Sequence, residues 1–116
     1  MVIPKKIAIT EKEIEMSDPT MYLIVNSTMI PGKMEQMQNY ASQVTPLLLK
    51  GGGEMIARYG VVEQMNGEGG PKAIAVMKFP SGQAIKEALS TDEFKALSVL
   101  RDEAFSRVDQ MICSAL

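Results

Sequence analysis

The sequence predicts an α+β domain whose elements follow the order β-α-β-β-α-β. Three observations carry this prediction: apolar, β-branched runs at 21–30, 54–65 and 72–79, a helical period over 33–50, and a second helical stretch before the last strand. The chain has 116 residues, of which 46% are hydrophobic. That size and apolar content fit a single domain with one core.

The first two elements are a strand and a helix. "MYLIVNSTMI", residues 21–30, is rich in strand-forming side chains and ends at Pro31-Gly32. An amphipathic helix follows over 33–50, and Pro46 within it predicts a kink or a restarted last turn near Ser42–Thr45. Its apolar stripe consists of Met34, Met37, Ala41, Val44 and Leu48.

Residues 54–79 are interpreted as a long hairpin. "EMIARYGVVEQM" and "KAIAVMKF" are its predicted strands, and the turn-rich "NGEGGP" connects them.

A second helical region and a last strand complete the order. Pro80-Ser81 should open a helix that runs to about Leu89, and Ser90 to Glu93 has the spacing of a capping box with Ser90 as the N-cap. "RVDQMICSAL", residues 107–116, is the predicted last strand. The helical face between them consists of Phe94, Leu97, Leu100, Arg101, Ala104 and Phe105.

This order predicts a ferredoxin-like arrangement, in which an antiparallel sheet carries both helices on one face. The other face should meet the sheet of a second copy, because the residues assigned to it have little charge. A homodimer is therefore expected, with 1–20 as an N-terminal arm or extra edge strand and 21–116 as the domain. The residues assigned to the second face are Ile24, Asn26, Thr28, Ala73, Ala75 and Met77.

Composition excludes several classes of function. The net charge is −2 and the basic residues are scattered, so no nucleic-acid partner is expected. No apolar run approaches the length of a membrane span, and the charged N-terminus does not have the pattern of a signal peptide, so we expect no membrane partner and a cytoplasmic location.

The chain has no histidine and only one cysteine, Cys113. An intrachain disulfide and catalysis by Ser-His-Asp or Cys-His groups are therefore excluded. We expect no metal site and no cofactor.

Several stretches resemble a known family in their order and spacing. They are Tyr40, Pro46, the Gly52-Gly53 pair followed by Arg58, the Phe79-Pro80-Ser81 junction, and the segment from Glu93-Phe94 to Arg101. Together they resemble the short, mostly bacterial proteins of domain-of-unknown-function family 1330, in the dimeric α+β barrel superfamily.

The resemblance implies a ferredoxin-like protomer that pairs sheet to sheet, with a small cavity between sheet and helices. It implies no established reaction, since relatives in the superfamily include cofactor-free monooxygenases, isomerases, haem enzymes and small-ligand-binding regulators. Gly51 and Ala88 depart from the family pattern, which often has a histidine and an aromatic residue near these positions.

The glycine run Gly51–Gly53 could form either a phosphate loop or a helix stop. A phosphate loop follows a strand and opens a helix, whereas these glycines follow a helix and precede a strand. A helix C-cap is therefore the favoured interpretation.

Arg58 is the main candidate for a functional side chain, because it lies in a predicted strand among apolar neighbours. A structural ion pair with Asp109, or with a carboxylate across a dimer interface, is the favoured alternative. The ligand hypothesis is that Arg58 or Arg101, with Tyr22, Asn26 or Tyr40, fixes the carboxylate or enolate of a small molecule. The apolar candidates beside them are Met77 and Phe79, with Met34 and Met37 as further pocket-lining residues.

Two functions remain open at this point. The first is a homodimer that binds a small, mostly apolar and possibly anionic molecule. The second is a cofactor-independent monooxygenase or isomerase, in which polar side chains only stabilise an enolate formed by the substrate.

Overall fold

The structure is a computed structural model that describes residues 19–116, so almost all of the predicted arm over 1–20 lies outside the described residues. The described chain contains four strands and four helices. The strands are β1 (Met21–Met29), β2 (Glu54–Gly60), β3 (Ala73–Phe79) and β4 (Phe105–Cys113). The helices are α1 (Met34–Lys50), α2 (Gly82–Ala88), α3 (Asp92–Ala96) and α4 (Ser98–Ala104).

The strands form one antiparallel sheet in the order β2-β3-β1-β4. Leu23 of the central strand β1 is opposite Met77 of β3 on one side and Ile112 of β4 on the other. This order is the predicted ferredoxin-like arrangement, and the α+β fold is confirmed.

The core lies between the sheet and the helices. Phe79, Leu23, Met77 and Ile85 are the largest fully buried side chains. Helices α1, α2 and α3 complete the core with Tyr40, Val44, Leu48, Ala88 and Phe94. Successive side chains of a strand alternate between the two faces of the sheet. Since Leu23 and Met77 are buried against the helices, every second residue from each of them also lies on the helix side in β1 and β3.

The other side of the sheet, which we call the open face, is not covered by any described helix. It presents Tyr22, Ile24 and Asn26 from β1, and their register partners Lys78, Val76 and Ile74 from β3. The prediction for β3 was wrong by one residue, since Ala73, Ala75 and Met77 lie on the helix side and Met77 is in the core. Both sets of β3 side chains are mainly apolar, so alternation alone does not identify the buried set.

Helix α1 runs through Pro46 to Lys50 as one helix, so the last turn does not restart as we expected. The amide groups of Gly51, Gly52 and Gly53 donate to the carbonyl oxygens of Leu47, Leu49 and Leu48, respectively.

The glycine run is therefore a helix stop whose amides are already engaged. Gly52 has a φ of 102°, a conformation that favours glycine. At Gly53, a Cβ atom would lie 2.7 Å from Cζ of Phe79. The phosphate-loop alternative is excluded, because no amide of the run is free to bind an anion.

Several element boundaries differ from the predictions, and the last strand ends at Cys113 rather than at Leu116. Strand β2 ends at Gly60 rather than near Met65, and the chain over 61–72 forms a loop. The N-cap of α3 is Thr91 and not Ser90, because the Thr91 side chain accepts a hydrogen bond from the amide of Phe94 at 3.1 Å. Phe105 opens β4 instead of closing the preceding helix.

Candidate functional site

Two β-bulges direct Arg58 and Phe105 to the helix side of the sheet. In β2 the register shifts between Met55 and Ala57, so Arg58 lies opposite Ala75 and on the same side as Met55. In β4 the shift places Phe105 opposite Met29. An extra residue in one strand reverses the faces of the residues that follow it, and bulges commonly re-aim side chains in this way.

Two adjoining cavities lie between α1 and the helix side of the sheet. The outer cavity has a volume of about 450 Å³ and the inner cavity about 120 Å³. The outer volume is within the range of small-molecule pockets. Both cavities are lined by Val25, Ser27, Tyr40, Val44, Arg58, Ala75 and Phe105.

The charge of the cavity lining is entirely positive. Among residues 19–116, Arg58 and Lys72 are the charged side chains that line the outer cavity, Arg58 alone is charged in the inner one, and no Asp or Glu lines either cavity. Neither cation has an ion pair within residues 19–116. Both side chains are exposed in the single protomer, so they stand where the cavity opens to solvent.

Tyr40 supplies a neutral hydroxyl to the same space. The residue is 9% exposed, and its hydroxyl has no hydrogen-bond partner among the described residues. Every fully buried side-chain nitrogen or oxygen atom within residues 19–116 has a hydrogen-bond partner. The Tyr40 hydroxyl has none, so it is not fully buried and reaches accessible space.

Burial raises the pKa of Tyr40, the charge of Arg101 opposes this shift, and Asp102 adds to it. Tyr40 is therefore a hydrogen-bond donor at neutral pH and not a base.

The other predicted site residues are distributed over three places. Met77 lines the inner cavity, whereas Phe79 is fully buried in the core and lines neither cavity. Tyr22 and Asn26 lie on the open face, across the sheet from Arg58. Arg101 lines neither cavity, and its Nε lies 3.3 Å from a carboxylate oxygen of Asp102.

The predicted ion pair between Arg58 and Asp109 is also wrong. Strands β2 and β4 are opposite edges of the sheet, and Asp109 pairs with Arg107 at 2.8 Å.

Phe105, Ser27 and Lys72 are among the cavity residues that the sequence did not identify. Phe105 was assigned to a helix, and Ser27 is a small polar residue in an otherwise apolar strand with no distinguishing pattern. Lys72 is adjacent to Pro71 at the end of the hairpin loop, where a solvated lysine is the ordinary expectation. The only available signal for Ser27 was that it follows Leu23 and Val25 at steps of two residues, on one face of β1.

Metal ligation has no support within 19–116, where no group of three or more Cys, Asp or Glu side chains could hold an ion. In the same range, none of the helices has the length and hydropathy needed to cross a bilayer.

Residues 20–115 match a family described as a domain of unknown function, DUF1330. No curated protein matches the chain.

Solved structures share the fold at low sequence identity. RPA0582, a protein of unknown function from Rhodopseudomonas palustris, is 13% identical, with a TM-score of 0.72 over 95% of this chain and 96% of that one. SnoaB, a cofactor-independent oxygenase from Streptomyces nogalater, is 9% identical, with a TM-score of 0.62 over 84% and 94%. A dimeric protein of unknown function with a ferredoxin-like fold from Bacteroides fragilis is 13% identical, with a TM-score of 0.60 over 84% and 98%.

Proposed function

Since the chain belongs to DUF1330, a family of unknown function, we propose a function from the cavity itself: the protein is a homodimer that binds a small apolar molecule with one anionic group. The observation that carries this proposal is the apolar cavity with Arg58 and Lys72 at its opening and no carboxylate among the described residues that line it. An apolar body would occupy the space between α1 and the sheet, and its anionic group would face the two cations.

Tyr40 would contribute orientation. Its neutral hydroxyl can donate a hydrogen bond to a carbonyl or enolate oxygen of the ligand. The desolvation that raises its pKa also makes such a hydrogen bond stronger than in water.

The test compares two ligands of the same shape, 1-naphthoate and the uncharged 1-naphthalenemethanol, by isothermal titration calorimetry. We expect naphthoate to bind more tightly, and Arg58→Gln with Lys72→Gln to weaken naphthoate about tenfold to a hundredfold while the alcohol changes little. Lys86→Gln is the matched control, because Lys86 is an exposed cation of α2 that lines neither cavity. If the charge of the ligand makes no difference to affinity, the anionic part of the proposal is overturned.

The dimer is supported by the uncovered apolar residues of the open face and by the dimeric fold neighbour from Bacteroides fragilis. Ile24 lies at the centre of this face, opposite Val76 and Met111. Ile24→Lys should therefore produce a monomer, because a lysine buried between two sheets would have no partner. Val99→Lys, which adds the same charge to an exposed position of α4, should leave a dimer. Native mass spectrometry of protein purified from its source measures both the dimer and any retained ligand.

A second candidate function is cofactor-independent oxygenation or isomerisation. It is favoured by the Tyr40 hydroxyl, which is unpartnered among the described residues and lines the same cavities as Arg58, so that both could act on an enolate bound there; SnoaB shares the fold and is an oxygenase. The lining formed by residues 19–116 offers no carboxylate and the chain has no histidine, so the substrate would have to ionise without a strong base from this lining. Oxygen uptake and substrate loss with a panel of hydroxyquinones and lactones separate the two candidates, since a binding protein saturates without turnover.

A further inference from the structure

Within the loop that connects β2 to β3, residues 61–71 are held together by internal hydrogen bonds. The amide of Val61 donates to the carbonyl of Lys72 at 2.8 Å and closes the base of the loop. Gln64 bridges the interior, since its Nε2 donates to the carbonyl of Asn66 at 3.1 Å and its Oε1 accepts from the amide of Gly70 at 3.0 Å. Hydrogen bonds across the loop stabilise one conformation, so the loop presents its outward side chains in a fixed arrangement.

Two of the outward side chains are large and apolar. Val62 is 100% exposed and Met65 is 86% exposed, and Tyr59 at the end of β2 is 61% exposed. A single exposed apolar residue is ordinary, but three within seven positions at one end of a hairpin indicate a surface that another molecule covers.

The same loop borders the open face. Gly69, Gly70 and Pro71 lie beside Asn26 and Thr28 of β1 and beside the Arg107–Asp109 ion pair of β4, around a cavity of about 180 Å³. The last residues of the loop thus lie at the edge of the surface on which a second sheet would be placed. Any second copy that packs on the open face comes close to this loop.

The size of the open face also favours a second copy as the occupant. Four strands at a spacing of about 4.8 Å, each with about eight residues at about 3.3 Å, give a flat area of about 500 Å². A stable, specific interface buries about 800 Å² on each partner. A flat area is a lower bound on the accessible surface that the side chains of the open face can bury, so the sheet contact supplies most of a stable interface, and a loop beside it would extend the contact.

We propose that residues 61–71 form a clasp, in which Val62 and Met65 of each protomer pack against the second copy beyond the edge of the sheet contact. This inference rests on the homodimer proposed above, but not on its ligand. In a two-fold symmetric dimer the contact occurs twice, so a change in one loop residue acts at two places in the interface.

The test uses the full chain with Val62→Ser and Met65→Gln combined. These side chains are exposed in the single protomer, so their replacement should not alter the fold of the monomer. We expect the dimer dissociation constant, measured by sedimentation velocity over a dilution series, to rise at least tenfold, because four apolar side chains leave the interface. The matched control is Glu63→Gln with Glu68→Gln, two exposed polar positions of the same loop, and it should change the constant less than twofold.

Three other results of these measurements would overturn the clasp, each for a different reason. An unchanged dissociation constant, together with a monomeric Ile24→Lys variant, would leave the sheet dimer and remove the clasp. A wild-type protein that is monomeric throughout the series would remove both the dimer and the clasp, while naphthoate binding would still test the cavity. A loop variant that keeps its dimer but loses naphthoate affinity would show a lid over the protomer's own cavity.

Discussion

The ring of Tyr40 meets the ring of Phe105 edge to face, with centroids 5.8 Å apart and planes inclined at 74°. This contact joins the middle of α1 to the first residue of β4, and both residues line the outer and inner cavities. Edge-to-face pairs of this geometry contribute about 0.5–1.5 kcal/mol beyond the burial of their area. The pair is therefore a structural support of the wall on which the proposed ligand rests.

Replacing Phe105 by leucine should lower the free energy of unfolding by about 1–2 kcal/mol, because the aromatic contact and part of the buried area are lost. Tyr40→Phe keeps both rings and should stay within about 0.5 kcal/mol of the wild type. Urea denaturation measures both changes, with the exposed Val99→Ala as the control. Equal stabilities of the Phe105→Leu variant and the wild type would contradict a supporting role for the pair.

Burial of Tyr40 predicts a specific loss of stability in alkali. The pKa of Tyr40 in the native protein is raised above its ordinary value of 10.0, which applies to the unfolded chain. Below pH 10 both states keep the proton. Between pH 10 and the higher native pKa, the unfolded chain releases a proton that the native chain retains, so unfolding becomes more favourable as pH rises.

The measurement is the difference in unfolding free energy between the wild type and Tyr40→Phe as a function of pH. The wild type should lose stability relative to this variant above pH 10, and Tyr59→Phe should retain the alkaline loss of the wild type. A difference that is constant across this pH range would show that the Tyr40 hydroxyl is solvated equally in both states.

Gly53→Ala should destabilise the protein by about 1–3 kcal/mol through overpacking. The added Cβ would lie 2.7 Å from Cζ of Phe79, 2.8 Å from the carbonyl oxygen of Leu48 and 2.9 Å from Cε of Met77. Gly60→Ala is the matched control, since no atom lies within 4 Å of its added Cβ. The melting temperatures of the two variants separate the effect of crowding at residue 53 from the general effect of adding a methyl group. Similar melting temperatures would contradict the close approach at Gly53.

Thr91→Ala should cost about 1 kcal/mol, the usual effect of removing an N-cap. Its hydroxyl accepts from the amide of Phe94, whereas the neighbouring Ser90 hydroxyl donates to the carbonyl of Lys86 at 2.5 Å and caps no amide. Ser90→Ala should therefore change the free energy of unfolding by about 0.5 kcal/mol or less. If urea denaturation showed a larger loss of stability for Ser90→Ala than for Thr91→Ala, Ser90 would be the N-cap.

The order of the elements could be predicted because each one carries a strong local pattern. Val44 and Leu48 recur at helical spacing in α1, and the β-branched run of β1 ends at Pro31-Gly32. The face of β3 could not be predicted, since Ile74 and Val76 are as apolar as the buried alternatives. Its orientation depends on the pairing of Leu23 with Met77, which is a contact between distant parts of the chain.

The candidate site was predicted only in part for the same reason. Arg58 and Tyr40 were identified because an arginine among apolar neighbours and a tyrosine on an apolar helix face are visible locally. Their grouping with Phe105 and Lys72 around one cavity depends on bulges and on loop closure, which have no local signature here. Tyr22 and Asn26 were grouped with them because a strand sequence does not state which of its sides faces the helices.

Because of the bulge in β2, the face on which Arg58 lies depends on the number of residues between Met55 and Arg58 as well as on residue type. Met55 and Arg58 are three residues apart and share a face, which a regular strand allows only at even spacing. If the same sequence were paired without the bulge, Arg58 would lie opposite Ile74, and its charge would move from the proposed ligand site to the proposed dimer surface. A homologous chain without a counterpart of Ile56 would keep its arginine beside the cavity at a spacing of two. Among homologues, the spacing and the bulge therefore have to be compared together before a shared arginine is taken as a shared site.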